Sequence, residues 1–339
     1  MIKLTEAEIK KNWIGDKVIV SICSITYNHE KFIAMALDSF LEQKTTFPFE
    51  IVISDDCSTD NTAKIIQKYV EKFPNIIKAN LRSKNVGMIK NGIENLQRAN
   101  GKYIALCEGD DYWSDENKLK IQVDFLEQNR DYSGVYNRVC YVGSNLRNNI
   151  QVDSNIDTID YRELIQQQYM IHTCSFIFKK KILSNDIYKL LSVAPIGDRV
   201  IFIKAGMDGK IRYFNNVMSV YRVGSGVMST WKQAKSTETL LELYTLFEQN
   251  KSFKKIIHSV RVSKRFYYWK LSNIYAEERH YLLSFKNYLY MLYYTLYVFT
   301  YQEGEVIRKV NFSEYIKTPI RAIPYSLDFF RKINTFLTR

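Results

Sequence analysis

Apolar and polar positions along the first 110 residues alternate between two periods. Val18 to Thr26 (VIVSICSIT) is a continuous β-prone run, the kind buried on both faces of a parallel sheet. Phe32, Ile33, Ala36, Leu37, Phe40 and Leu41 then recur on one helical face. Glu50 to Ser54 (EIVIS) reads as a second strand that stops at Asp55-Asp56. Ser58 or Asp60 can cap a following helix that carries Ile66, Tyr69, Val70 and Phe73. Ile76 to Leu81 predicts a third strand. Ile89, Ile93 and Leu96 predict a helix against the turn signal of Asn91-Gly92. Tyr103 to Cys107 predicts a fourth strand that ends in Glu108-Gly109-Asp110-Asp111. This β-α-β-α-β order predicts an α/β domain with a mostly parallel sheet flanked by helices.

Beyond residue 230 the pattern becomes helical, with Leu240, Leu241, Tyr244 and Phe247 at helical spacing and Ile256, Val260 and Lys264 less cleanly so. Basic and aromatic residues mix in KRFYYWK, in LSFKNYLYMLYYTLYVF and in DFFRKINTFLTR. The run from Tyr288 to Tyr301 is too short and too rich in Tyr to span a bilayer. The N-terminus lacks the apolar stretch of a signal peptide.

Composition adds the charge. With 46% apolar and 25% charged residues the chain is of ordinary globular type, and 14% aromatics exclude disorder as its main state. Lys and Arg number 48 against 36 acids, a formal +12 that favours nucleic acid, anionic lipid or phosphorylated substrates. The excess is uneven. The last 109 residues hold 18 Lys/Arg and 9 acids, and roughly half of the 25 tyrosines, leaving only about +3 for the first 230. A domain boundary near residue 230 is expected, with a basic, aromatic, mainly helical region over 231–339. The five cysteines form no C-x-x-C pair, which fits a reducing compartment and neither a zinc site nor a disulfide framework.

Ligands of parallel sheets bind outside the carboxyl ends of the strands. Three polar clusters fall there: Tyr27-Asn28-His29-Glu30, Asp55-Asp56 and Glu108-Gly109-Asp110-Asp111. An Asp-Asp after a strand is, taken alone, as often a cap and turn as a site. Three such clusters on one rim are the stronger signal. Carboxylates at D/E-x-D spacing suit a hard divalent cation that takes its other ligands from a substrate diphosphate. An acid at the second strand end can accept a nucleobase N–H, and Arg82 and Lys84 before Asn85-Val86-Gly87 can meet phosphate or simply be solvated. No G-x-G-x-x-G or P-loop pattern occurs at these turns, so a dinucleotide or P-loop enzyme is not supported.

The runs SITYNHEKFIAMALDSFLEQ, EIVISDDCSTDNTAKII and LRSKNVGMIKNGIENLQRANGKYIALCEGDDYW resemble the family 2 glycosyltransferases of the GT-A fold, over roughly residues 17–230. The kind most resembled builds bacterial surface polysaccharides. The resemblance implies a Rossmann-like sheet and a nucleotide-diphospho-sugar donor, most often UDP-linked. It assigns Thr26, Tyr27 and Asn28 to the nucleotide, Asp56 with Asp55 to the base, and Arg82, Asn85 and Gly87 to a segment closing over it. Glu108-Gly109-Asp110 takes the D-x-D position: Asp110 would ligate Mg²⁺ or Mn²⁺, Glu108 would face ribose or donor sugar, and Asp111 is a lesser candidate for either role.

In the later segment IGDRVIFIKAGMDGKIRYFNNVMSVYRVGSG, Asp198 matches the base of inverting members; by spacing alone it also reads as a helix cap after Ile196-Gly197. Many relatives carry YR-x-H where this chain has Tyr221-Arg222-Val223-Gly224. The missing histidine makes a non-catalytic nucleotide-sugar-binding or scaffold protein the alternative, unless Arg222 binds diphosphate in its place. His172 lies where the resemblance sets the acceptor wall, although a lone His among apolar residues is more often structural. Common acceptors of the family are lipid-linked glycans or lipopolysaccharide cores. A cytoplasmic protein, peripheral at the inner membrane face through its basic tail, is therefore expected. No RNP1 or helix-turn-helix pattern supports nucleic acid as a partner.

Overall fold

A computed structural model describes residues 3–143, 146–150, 157–166, 171–224 and 232–300, with backbone alone for 146–150 and 296–300. The chain forms two compact units, Met1–Thr230 and Trp231–Arg339. In the first unit the elements run α1 (Glu6–Lys10), β1 (Val20–Thr26), α2 (Ile33–Leu41), β2 (Phe49–Asp55), α3 (Thr62–Lys72), β3 (Ile77–Leu81), α4 (Met88–Arg98) and β4 (Tyr103–Leu106). They continue with β5 (Tyr112–Trp113), α5 (Lys118–Gln128), β6 (Tyr132–Gly143), β7 (Leu146–Ile150), β8 (Thr158–Ile159), α6 (Tyr161–Gln166), β9 (Ile177–Lys179), α7 (Asn185–Leu191), α8 (Gly197–Asp208) and β10 (Lys210–Arg222).

The strands of the described residues share one sheet in the order β3-β2-β1-β4-β9-β6-β10-β5, with β7 beside β6 and β8 beside β10. Strands β1 to β4 are parallel, in the sense the alternating pattern predicts. The other half is mixed. β9 runs antiparallel between β4 and β6, β6 and β10 are parallel, and β5 is antiparallel to β10.

Both faces of the β1–β2 core are covered, which explains its unbroken apolar runs. Val20, Ile22, Ile51 and Ile53 pack with Ile33, Leu37 and Phe40 of α2, Ile66 and Tyr69 of α3, and Leu119 and Val123 of α5. The opposite side takes α4 by a polar route. Buried Asn95 donates through Nδ2 to Ser24 O (3.1 Å), Val52 O (2.9 Å) and Ser54 Oγ (3.1 Å), and Asn91 donates to Ser54 O (3.0 Å). This is why Asn91-Gly92 stays helical: the asparagine reads the sheet rather than starting a turn. At the other end of β2, buried Glu50 accepts from Ser21 Oγ (2.6 Å), Lys78 Nζ (2.5 Å) and Asn100 N (2.7 Å). Burial raises its pKa, and these donors more than offset that and hold the carboxyl below the usual range.

The second unit consists of α9 (Gln233–Gln249), a 3₁₀ segment at Lys251–Ile256, α10 (Ile257–Glu277) and α11 (Tyr281–Thr300). Tyr268 of α10 stacks on Tyr290 and Tyr294 of α11, with centroids 5.0 and 5.7 Å apart. The basic run KRFYYWK is not uniformly solvated. Lys264 is buried and donates to Glu248 Oε2 (2.6 Å) and Thr245 Oγ1 (2.9 Å), while Arg261 takes Glu248 Oε1 (2.8 Å). DFFRKINTFLTR and Tyr301 lie outside the described residues. No helix among the described residues is long and apolar enough to cross a membrane.

Candidate active site

The parallel register brings the sequence clusters to one rim. Thr26 and Asp55 are register partners at the ends of β1 and β2. The chain after β4 keeps running beside β1: Cys107 N donates to Cys23 O (3.2 Å) and Gly109 N to Ile25 O (3.0 Å). Gly109 is required there. A Cβ on it would stand 2.9 Å from Thr26 Cβ and Oγ1 and 2.9 Å from Ile33 Cδ1. Only a residue without a side chain lets the acidic turn lie against Thr26. The Thr26 hydroxyl is itself buried without a hydrogen-bond partner, a polar atom waiting on the rim.

Asp55 and Asp56 do different things. Asp55 accepts from Ser58 N (2.9 Å) and from the Ser58 hydroxyl, and Ser58 Oγ in turn accepts Asn28 N (2.9 Å). Asn28 sits at φ 58° and its Oδ1 accepts Thr59 N (2.8 Å), so it ties the β1 turn to the β2 turn. Ser58 thus serves Asp55, while Asp60 receives Thr62 N (2.9 Å) at the start of α3. Asp56 is buried, and its oxygens accept Val86 N (2.8 Å) and Gly87 N (2.9 Å). It thereby holds the β3–α4 segment over the rim, with Asn85 Oδ1 also accepting Gly87 N (3.0 Å). Gly87 adopts φ 87°, which favours glycine. The Arg82 guanidinium is engaged within the protein, by Asn91 Oδ1 (2.8 Å) and Glu94 Oε2 (2.6 Å), and stands 3.9 Å from Asp56. Lys84 and Tyr27 are exposed.

The acidic turn is closed from the far half of the sheet. Thr173, in a 3₁₀ turn before β9, donates its hydroxyl to Glu108. Arg222 N, at the end of β10, donates to Asp111 Oδ1 (2.8 Å). Burial, then the charges of Asp110 and Glu108, push Asp111 up to about 8 against the pull of Arg222 N and the Cys174 thiol. Glu108 rises to about 7, chiefly by burial, with Asp110 and Asp198 adding and Thr173 opposing. The field of Asp198 therefore reaches the turn although the residue lies in the first turn of α8, where its Oδ1 accepts Arg199 N (2.7 Å). Burial also raises Asp198 itself, against the Arg199 N–H and guanidinium. Four carboxylates thus share one electrostatic neighbourhood.

An aromatic wall borders this cluster. His172 lies 4.5 Å from the Tyr221 ring, and its Nε2 shares a hydrogen bond with Tyr141 Oη (2.8 Å). Burial lowers His172 to about 4, so the imidazole is neutral near pH 7. Tyr221 is pushed up to about 12 by burial and by Asp111, Glu108 and Asp110. The Arg222 guanidinium lies over the rings of Phe32 (4.8 Å) and Tyr112 (5.1 Å). Thr173, Cys174, Tyr141 and Tyr112 carried no signal in the sequence, since each acts through a partner distant along the chain.

Residues 21–189 match the model of glycosyl transferase family 2. The chain carries a family 2 glycosyltransferase domain. It is 35% identical over 210 residues to an uncharacterised protein of Mycobacterium tuberculosis, an overlap of 60% of this chain and 58% of that one. The chain therefore spans little more than half the length of these relatives. The poly(ribitol-phosphate) beta-N-acetylglucosaminyltransferase TarS of Staphylococcus aureus is 36% identical over 111 residues, 32% of this chain and 19% of TarS. The structure of TarS residues 1–349 in complex with UDP-GlcNAc superposes with a TM-score of 0.57 at 19% identity, covering 82% of this chain and 92% of that one. The mannosyltransferase PcManGT of Pyrobaculum calidifontis, solved with GDP-Man and Mn²⁺, gives 0.53 at 17% identity, covering 86% and 89%. The fold is the GT-A-like α/β sheet with C-terminal helices that the family 2 glycosyltransferase domain implies.

The carboxylates fit a divalent cation by their chemistry. They are hard oxygen donors, and Glu108 and Asp111 are raised first by burial and then by the neighbouring acids. Among the described residues no three His, Cys, Asp or Glu side chains are arranged to hold a metal by themselves.

Proposed function

We propose that residues 1–230 form an inverting glycosyltransferase domain that moves a sugar from a UDP-linked donor to a hydroxyl of a glycan or lipid-linked acceptor in surface polysaccharide synthesis. The observation that carries this reading is the gathering of Thr26, Asp55, Asp56 and the Glu108–Asp111 turn at the adjacent ends of β1, β2 and β4. UDP-GlcNAc in the TarS structure, and the poly(ribitol-phosphate) in the name of TarS, support a UDP-linked donor and a polymer acceptor.

Thr26, with its unpaired hydroxyl, and Tyr27 and Asn28 beside it line the nucleotide side. Asp56 positions the 85–87 segment and offers a carboxylate to a base N–H. Asp55 acts through Ser58, and Arg82 acts by bracing Asp56 and α4 rather than by reaching phosphate. Asp110, with Glu108 toward the donor sugar, is the holder of Mg²⁺ or Mn²⁺. When bound, the cation supplies Lewis-acid stabilisation of the departing diphosphate. Asp111 is spent on Arg222 N and joins β10 to the acidic turn. The Arg222 guanidinium, which lies over the Phe32 and Tyr112 rings and donates to Met35 Sδ (3.0 Å), is the candidate cation for the diphosphate at the end of β10. Asp198 takes the acceptor proton, and its desolvated carboxyl is a stronger base than a solvated one. Neutral His172 shapes the acceptor side with Tyr221. Residues 231–339 form an accessory region that brings a cytoplasmic enzyme to the anionic inner membrane face.

The test is turnover of UDP-sugars with Mn²⁺ and a supplied glycan acceptor. Asp198→Asn is expected to lose about 10²–10⁴-fold in turnover while donor affinity holds. Asp110→Ala is expected to lose both. Equal background rates for wild type and variants, across several donors, sink the transferase and leave a binding protein.

A further inference from the structure

Helix α11 inverts the usual amphipathic arrangement: polar side chains lie on its buried face and large apolar ones on its exposed face. One face packs into the second unit through Ser284, Asn287, Met291, Tyr294 and Thr295, all buried. The other carries Leu282, Lys286, Leu289 and Tyr293 at positions i, i+4, i+7 and i+11, with Tyr290 at its edge. There Leu282 is 88% exposed, Tyr293 63% and Leu289 50%. Burying such side chains is favourable, and a helix that leaves several in water on one stripe is built to be covered.

The chemistry of the stripe selects the occupant. From Tyr281 to Thr300 the only charged side chain is Lys286, and no acid occurs. Residues 232–295 hold 11 Lys/Arg against 5 acids, so this part of the second unit carries a net positive charge. The helix is nevertheless not apolar enough to cross a bilayer. Leu to enter the acyl boundary, Tyr to sit at headgroup depth and cations to meet anionic phosphate are the parts of a helix lying in the interface plane.

We infer that the Leu282–Leu289–Tyr293 face of α11 is the segment of the second unit that inserts into an anionic membrane surface. This rests on the membrane reading above and goes further by naming the face. The excess charge then acts as attraction from a distance, while the stripe provides the depth.

The experiment is flotation of the full chain with vesicles of phosphatidylcholine alone and of phosphatidylcholine mixed with phosphatidylglycerol. Wild type is expected to float with the mixed vesicles. The Leu282→Ser/Leu289→Ser/Tyr293→Ser variant, altered only at exposed positions, is expected to partition at least about tenfold more weakly. A Leu289→Trp variant is expected to show stronger fluorescence quenching by brominated lipid than wild type. Wild type that does not float overturns the membrane reading itself. Wild type that floats together with a triple variant that floats equally, or with a Leu289→Trp signal no more quenched than wild type, overturns the assignment to this face alone. A change of oligomeric state in the triple variant without a change in flotation assigns the face to a second copy and also overturns it.

Discussion

His172 is a residue whose state is set wholly by its surroundings. Its imidazole is held at about 4 by burial, against 6.5 when free. Between those two values the unfolded chain binds a proton that the folded one refuses. Folding stability therefore falls as pH drops from about 6.5 to about 4, by up to about 3 kcal/mol. Urea unfolding of wild type at pH 7 and pH 4.5 is expected to show this loss, and His172→Gln is expected to shrink it. An unchanged pH response in His172→Gln would show that the acid sensitivity lies elsewhere. The same residue shows why spacing is a weak guide to chemistry. A lone histidine among apolar neighbours reads as structural, and the hydrogen bond to Tyr141 supports that, yet the tilted Tyr221 ring 4.5 Å away, which feels the charges of the acidic turn, sets it beside the candidate site.

At the scale of elements, the docking of α4 is the clearest case of a local rule overridden by packing. Asn91-Gly92 argues for a turn. The helix persists because Asn91 and Asn95 both reach buried acceptors on β1 and β2. Asn95→Ala removes a buried amide whose three acceptors lie inside the fold, and is expected to cost about 1–3 kcal/mol. A shift of the urea midpoint smaller than the error would mean that water replaces the amide. The first four strands were legible because strand runs and helical faces are local patterns. The insertion of β9 between β4 and β6 was not legible, because three residues carry no periodicity of their own.

At the scale of the molecule, the carboxylates of the Glu108–Asp111 turn and a Thr26 hydroxyl without a hydrogen-bond partner lie together at the strand ends of the first unit. A ligand that satisfies them stabilises the folded state by mass action. A UDP-sugar with Mn²⁺ at a hundredfold excess over Kd is expected to add about 3 kcal/mol, which raises the melting transition by several degrees. Mn²⁺ or the sugar nucleotide alone is expected to do less, since each completes only part of the ligand set. Equal shifts with Asp110→Ala would take the cation away from that carboxylate. Charge works on a different part of the chain: the first 230 residues are near balance, and the surplus lies in the residues that follow.

The sequence by itself determined the parallel half of the sheet, the delivery of Thr26, Asp55, Asp56 and the Glu108–Asp111 turn to strand ends, and the unequal division of charge. These follow from run length, period and count, which are properties of neighbouring residues. Only the tertiary structure decided what each acid does. Asp56 is turned to the 86–87 backbone, Asp55 to Ser58, Glu108 to Thr173 and Asp111 to Arg222, 111 residues away. It also moved Lys264 from the basic surface to the interior beside Glu248. A carboxylate's partners, and hence its proton affinity, depend on which distant strands cross beside it. No local pattern encodes that crossing.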